Sequence, residues 1–519
     1  MHLCLLPPEI LLRILSIHEF DEPICSHATL TSLARTCRTL KEPALDTLWK
    51  NINGFEPLIG CLPERVTNTD IHGRLTLKRP LLNEECRHIG RYTQRISSLT
   101  VDFTHLDSID DRVIQAFISA PSPTPLLPNL LSLDWSDDRE YFFPLLRIFL
   151  GSTITTMRLG FTTSPPSFAK SALVASFGAR CPSIRELHCE YGGDSEDSSY
   201  AICEALCGLR ELFSLDIGVF STRTLLRLAS LSSLKSLHLN LGTYNINHTH
   251  SDCTPTSSSQ LEQVYITTPS RPVLTHCLRN IRFLSCRSVN FCIDYGDPQQ
   301  YDPMDFPDLI ISFSECFPPT LEKLHFGFTS DVNNLIEEDL ADPSFALGFD
   351  VFVPLLSFSH LKYLDLDWIC TSAIDDTSLK TMAQSWPQLE IFLFGSEAGW
   401  LVPPSLTFIG LVHLIHHCPH LHKIEMPFSA CPVDVNSAPF SNTNPNEKIT
   451  RLFVGISPIV NPVAVACQLH KLMPKLDIVG FCNWDLIYLP ESPPFAQFGV
   501  DWIRVNDFLQ VLTTSAKMR

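Results

Sequence analysis

One short apolar pattern recurs down most of this chain and limits what it can fold into. The pattern is Ф-x-x-Ф-x-Ф, where Ф is an apolar residue. It appears as ISSLTV at Ile96, LLSLDW at Leu130, ITTMRL at Ile154 and IRELHC at Ile184. It returns as LFSLDI at Leu212, LKSLHL at Leu234, LEQVYI at Leu261 and IRFLSC at Ile281. LEKLHF at Leu321, LKYLDL at Leu361, LEIFLF at Leu389, LHKIEM at Leu421 and ITRLFV at Ile449 follow, and LDIVGF at Leu476 is a weaker copy. The last two apolar positions alternate with one other residue, as in a half-buried strand. Between copies lie helix-like stretches such as TRTLLRLASL and FIGLVHLIHHC. One strand–helix unit cannot bury both of its faces, so neighbouring units must stack. The 519 residues therefore predict an array rather than the three or four separate domains that length alone suggests.

Successive copies start 20 to 40 residues apart. Most of these intervals fall within or just above the period of about 20–29 residues that marks leucine-rich repeats. The fold class expected is α/β: a curved leucine-rich-repeat-like solenoid over 96–519, with parallel strands on its concave side and helices on its convex side. The longest intervals and several polar stretches place insertions near 243–260, 289–320, 330–358 and 429–447. NNLIEEDLAD, at 333–342, reads as an acidic helix within one of them.

The first fifty residues follow another rule. They read as three helices. Pro8 suits the first turn of helix one, where its missing N–H costs nothing. Ile10, Leu11, Ile14 and Leu15 form an apolar stripe, while Glu9, Arg13 and Ser16 leave only a narrow polar line. A helix apolar around most of its circumference must bury more than one side. Helix two carries Leu30, Leu33, Ala34, Cys37 and Leu40, and helix three carries Ala44, Leu45, Leu48, Trp49 and Ile52. A unit this small has little core of its own, so it needs a neighbouring domain or a partner. Residues 1–53 are assigned to this helical domain and 54–95 to a linker or first capping segment.

Composition excludes several classes of function. The formal charge is −18, and no basic run suggests a broad phosphate-binding surface, so nucleic acid is not expected as a partner. The 19 cysteines are odd in number and irregularly spaced, without a CxxC pair, which suits free thiols in a reducing compartment. The apolar start lacks a basic n-region and a small-residue cleavage site, so it does not read as a signal peptide. No run of 18 uncharged apolar residues suggests a membrane span. The expected address is cytoplasm or nucleus.

The chemistry-bearing residues are densest in HLIHHCPHLHK, with His413, His416, His417, Cys418, His420 and His422. His413 and His417 stand at a spacing that can chelate zinc on a helix. The competing reading is a repeat junction, because Cys418-Pro419 parallels Cys181-Pro182, each just before a strand motif. That reading is preferred, and neither a metal nor another cofactor is expected. GxSxG, Walker A, HExxH and a usable GxGxxG are all missing, so no catalytic residue is assigned.

The N-terminal residues resemble an F-box. Leu6-Pro7-Pro8-Glu9-Ile10, then Leu30-x-x-Leu33-Ala34-x-x-Cys37-Arg38, then Leu48-Trp49 arrive in that family's order. The segment between helices one and two, SIHEFDEPICSHAT, is longer than is usual there. The downstream array is similar to the irregular leucine-rich repeats of F-box proteins, including divergent ones of basidiomycete fungi. This resemblance implies a non-enzymatic substrate receptor. Its F-box would bind a Skp1-like adaptor, and through it a cullin–RING ubiquitin ligase, while the repeats hold a protein target. The residues this implies for the adaptor contact are Leu6, Pro7, Pro8, Glu9, Ile10, Leu11, Ile14, Leu30, Leu33 and Trp49. The rival is a repeat scaffold without a ligase role.

For the target, the residue between the last two apolar positions of each strand points away from the core. That reads out a ladder: Thr100, Asp134, Arg158, His188, Asp216, His238, Tyr265, Ser285, His325, Asp365, Leu393, Glu425 and Phe453. Asp134, Arg158, His188, Asp216, His238, Tyr265, His325, Asp365 and Glu425 are the candidate target contacts.

Overall fold

The fold was analysed in a computed structural model. It describes residues 10–11, 27–36, 38–119, 125–161, 167–192, 196–218, 224, 227–228, 230–241, 256–258, 260–268, 274–275, 278, 281–293, 306–328, 340–396, 399–432, 438–481 and 495–517. Two compact units divide the chain, Met1–Leu234 and Lys235–Arg519.

The first unit opens with helices α1 (His27–Thr36) and α2 (Arg38–Lys50), and α2 runs directly into strand β1 (Asn51–Asn53). Five more strands follow in the same parallel sheet: β2 (Ser98–Asp102), β3 (Ser132–Ser136), β4 (Thr156–Leu159), β5 (Glu186–Gly192) and β6 (Ser214–Gly218). Residues 54–95 hold a short helix, an antiparallel strand pair (Thr67–Thr69 with Leu75–Leu77) and helix α3 (Asn83–Thr93). The sheet thus starts at Asn51, upstream of the first motif read from the sequence. Its first rung, Trp49-x-x-Ile52-x-Gly54, ends in glycine, which hides it from a search for three apolar residues.

The second unit carries nine parallel strands. They are β7 (Ser236–Asn240), β8 (Gln263–Thr268), β9 (Ser288–Ile293), β10 (Lys323–Phe328) and β11 (Tyr363–Leu366), then β12 (Ile391–Phe394), β13 (Lys423–Glu425), β14 (Arg451–Phe453) and β15 (Ile478–Gly480). The segment expected as an insertion at 289–320 supplies most of β9 and the helix Phe306–Cys316. FIGLVHLIHHC forms the helix Phe408–His417, as its period predicts. Most of the acidic stretch 333–342 and half of TRTLLRLASL lie outside the described residues.

The motif works as its spacing requires. In each repeat from ISSLTV to ITRLFV except IRFLSC, all three apolar residues are buried, as in Leu361, Leu364 and Leu366. Backbone hydrogen bonds then chain one repeat to the next: Arg287 N donates to Glu262 O, Glu322 N to Arg287 O, and Lys362 N to Glu322 O. IRFLSC is the exception and a correction. Leu284 is 57% exposed, and Ile281–Phe283 pairs with Thr256–Ser258 in a separate two-stranded sheet. The in-register frame starts five residues later, at Cys286-x-x-Val289-x-Phe291, whose three side chains are all buried. Asn290 therefore takes the ladder position expected for Ser285.

Aromatic rings fill the core around β9. Phe313 stacks on Phe317 at 4.6 Å, and Phe283 on Phe317 at 4.8 Å, while Phe291 meets Phe313 edge-on at 5.2 Å. The last strand has a closed edge. Asn506, on the C-terminal helix Phe495–Lys517, accepts from Val479 N at 2.8 Å and donates to Val479 O at 2.9 Å. One side-chain amide thereby satisfies both backbone groups of Val479, as a further strand would, and blunts that edge as a template for pairing.

Candidate partner-binding surfaces

The N-terminal helices and the first repeat form one packed body. Trp49, near the end of α2, lies 4.7 Å from the Tyr92 ring of α3. Arg95, just after α3, pairs with both Asp46 and Glu42 of α2. Leu30, Leu40, Ala44 and Trp49 are buried. Leu11 is buried as well, while its neighbour Ile10 is 43% exposed, and Leu33 is half-buried. Of the expected adaptor contacts, Ile10 and Leu33 thus keep surface free. Leu11, Leu30 and Trp49 are spent inside this chain. Leu6, Pro7, Pro8, Glu9 and Ile14 lie outside the described residues.

The target ladder is a true lateral row in each unit. In the first, Asn53, Thr100, Asp134, Arg158, His188 and Asp216 stand directly opposite one another on successive strands. In the second, the row runs His238, Tyr265, Asn290, His325, Asp365, Leu393, Glu425, Phe453 and Gly480. All nine candidate contacts fall in these rows. The sequence reading missed Asn53, Asn290 and Gly480.

Many of these side chains pair sideways. Asp134 lies 3.9 Å from Arg158, His188 lies 2.5 Å from Asp216, and His325 lies 2.7 Å from Asp365. The Tyr363 hydroxyl donates to the same Asp365 oxygen at 2.8 Å, and burial pushes the Tyr363 phenol up. Lys423 holds Glu425 at 2.8 Å. His238 meets Tyr265 edge-on at 5.9 Å. The cross-strand pairs among these, Asp134–Arg158, His188–Asp216 and His325–Asp365, each stabilise the sheet by roughly 0.2–1 kcal/mol. Asp365 is buried at 6% exposure and is spent on its bonds to His325 and Tyr363, whereas Asp134, Arg158 and His188 keep exposed surface.

Beside that row, Asp367 is buried. Its Oδ1 accepts from Ser396 N at 2.7 Å and from Ser396 Oγ at 2.5 Å, while Oδ2 finds no hydrogen-bond partner among the described residues. Burial pushes this carboxyl well above its ordinary range, with the two Ser396 donors opposing. The histidine-rich helix end is structural at its cysteine. Cys418 is buried, its thiol donates to the Trp386 and Ala383 carbonyls at 3.5 and 3.6 Å, and desolvation raises its pKa to about 12. Among the described residues, no helix is long and apolar enough to cross a membrane.

Residues 3–53 match the family model described as F-box-like, so an F-box-like segment opens this chain. No curated protein matches the chain in sequence. Among solved structures, a chain from the crystal structure of the Rad7 and Elc1 complex in yeast is similar at 14% identity. That match covers 69% of this chain and 82% of that one, with a TM-score of 0.32. The leucine-rich repeat-containing protein LegL7 from Legionella pneumophila is similar at 10% identity, over 75% of this chain and 93% of that one, with a TM-score of 0.24. The chain joins an F-box-like segment to leucine-rich-repeat-like parallel strands, a combination that supports an adaptor role in a ubiquitin ligase.

Proposed function

We propose that this protein is a non-enzymatic substrate receptor of a Skp1–cullin–F-box type ubiquitin ligase. The F-box-like segment binds a Skp1-like adaptor, and the strand rows hold a protein target in the cytoplasm or nucleus. The observation that carries this reading is the continuity of α2 with β1, reinforced by Trp49 on Tyr92 and by Arg95 on α2. A receptor must fix its target relative to the ligase, because a small misplacement of reacting groups is costly in rate. A helix that passes straight into the first strand supports that requirement. Ile10 and Leu33, with Leu6, Pro7, Pro8, Glu9 and Ile14 by the family resemblance, supply the adaptor contact. Asp134, Arg158, His188, Asp216, His238, Tyr265, His325 and Glu425 supply the target face, while Asp365, itself buried, holds His325 in that row.

The test is co-purification of the full chain with a Skp1-like adaptor, for wild type and for Ile10→Asp, Ile14→Asp. Wild type is expected to retain the adaptor. The variant is expected to lose it with an unchanged thermal midpoint. Wild type that fails where a reference F-box protein succeeds would leave a repeat scaffold without ligase function.

A further inference from the structure

The stretch 74–95 runs against the charge of the chain. It holds six cations, Arg74, Lys78, Arg79, Arg87, Arg91 and Arg95, and two carboxylates, in a protein of formal charge −18. Three of the arginines are already committed. Arg74 pairs with Asp70 at 2.9 Å, Arg79 with Glu85 at 2.5 Å, and Arg95 with Asp46 and Glu42. Lys78 donates to the Glu64 carbonyl at 2.8 Å.

Arg87 and Arg91 differ. Both are exposed, and neither side chain has an ion pair or hydrogen bond among the described residues. They stand four residues apart on α3, so they share one helix face. Beside them runs a groove of about 420 Å³, lined also by Cys86, Gly90, Leu126 and Pro128. Gly90 leaves it open: a Cβ added there would meet nothing within 4 Å. A second cavity of about 480 Å³ repeats the combination, with Arg112 unpaired among the described residues beside Leu77, Pro80 and Ala116.

We infer that the Arg87–Arg91 groove is a docking site for a short acidic segment of a partner protein. Two guanidinium groups one helical turn apart fit two carboxylates, since arginine pairs with carboxylate in a directional fork. Pro125, Leu126 and Pro128, which line the same groove among polar neighbours, offer a contact for one aliphatic side chain. The net charge of the chain argues against an extended polyanion. A nucleic acid or an anionic membrane would meet the repulsion of the whole molecule, whereas a few carboxylates meet chiefly the local field. This surface does not depend on the ligase reading.

Fluorescence anisotropy of the full chain tests it, with a fluorescein-labelled hexapeptide alternating Glu and Leu, and with its Lys counterpart. The Glu peptide is expected to bind, more weakly as salt rises, and the Lys peptide not to bind. Arg87→Glu, Arg91→Glu should lower the affinity at least about tenfold. Gly90→Phe should lower it by filling the groove without changing charge. Arg87→Lys, Arg91→Lys should retain part of it. Thermal midpoints and Skp1-like adaptor binding are expected to stay unchanged in all of these, which separates this site from the F-box-like segment. Equal binding of the Glu and Lys peptides would overturn the inference, as would an unchanged affinity after charge reversal. If a single-stranded oligonucleotide or a phosphatidylserine vesicle displaced the peptide and lost its own binding in the charge-reversed variant, the groove would be a polyanion site instead.

Discussion

In the second unit, the residues just before the strands form a row whose signs alternate: Lys235, Glu262, Arg287, Glu322, Lys362 and Glu390. The same backbone-linked row in the first unit holds Lys50, Ser97, Leu131, Thr155, Arg185 and Phe213, two cations with no carboxylate between them, and Leu131 and Phe213 are about half exposed. In the second unit, Lys235–Glu262 and Lys362–Glu322 close to 2.8 Å, and Arg287 approaches Glu322 at 3.7 Å. The first unit instead buries a pair. Lys170 Nζ lies 3.2 Å from Asp138 Oδ2, with both side chains nearly inaccessible. One repeat grammar thus tolerates two ways of placing charge. A row on the surface is built from many weak pairs and is open to salt. A buried pair is stronger to break and blind to salt.

The largest expected effect lies in the first unit. Lys170→Ala removes the ammonium beside Asp138 in a buried place and should cost about 3–5 kcal/mol, read as a lowered denaturant midpoint that salt does not restore. A loss under about 1 kcal/mol would show that the pair is not buried in solution. In the second unit, Glu322→Lys puts a third cation between Arg287 and Lys362. It should cost about 1 kcal/mol, and high salt should shrink that difference. An equal cost at high salt would point to packing rather than charge.

Acid supplies a companion check on the row. The Lys362 ammonium beside Glu322 holds that carboxyl below its usual range, and Lys235 does the same for Glu262. Their contribution is complete above the ordinary carboxylate pKa of about 4.3 and is lost as pH falls through the depressed values. Wild type should therefore lose stability below about pH 4 more steeply than Glu322→Gln.

How much of this was legible follows from which residues repeat. Leu, Ile, Val and Phe at the three motif positions carry burial directly, so the strands and the outward ladder could be read in order. The frame failed where two frames fitted equally. Ile281-x-x-Leu284-x-Cys286 satisfies the pattern as well as Cys286-x-x-Val289-x-Phe291, and only the exposure of Leu284 and the strand register of Val289 and Phe291 separate them. The lateral pairs His188–Asp216 and His325–Asp365 join residues 28 and 40 apart, which become partners only once the register is set. Trp49 belonged to a known signature, yet its contact with Tyr92 depends on where α3 packs. The freedom of Arg87 and Arg91 was hidden for the same reason, since their sequence neighbours include two carboxylates, and Glu85 turns to Arg79 instead.

The central claim is that the N-terminal segment meets the ligase adaptor while the strand rows stay available. Hydrogen–deuterium exchange of the full chain, with and without a Skp1-like adaptor at saturation, tests it most directly. The account predicts slowed exchange within residues 3–53, centred on the turn holding Ile10, and unchanged exchange along the rows through Asp134, His188, His325 and Asp365. Protection on the strand rows with none in 3–53 would contradict it.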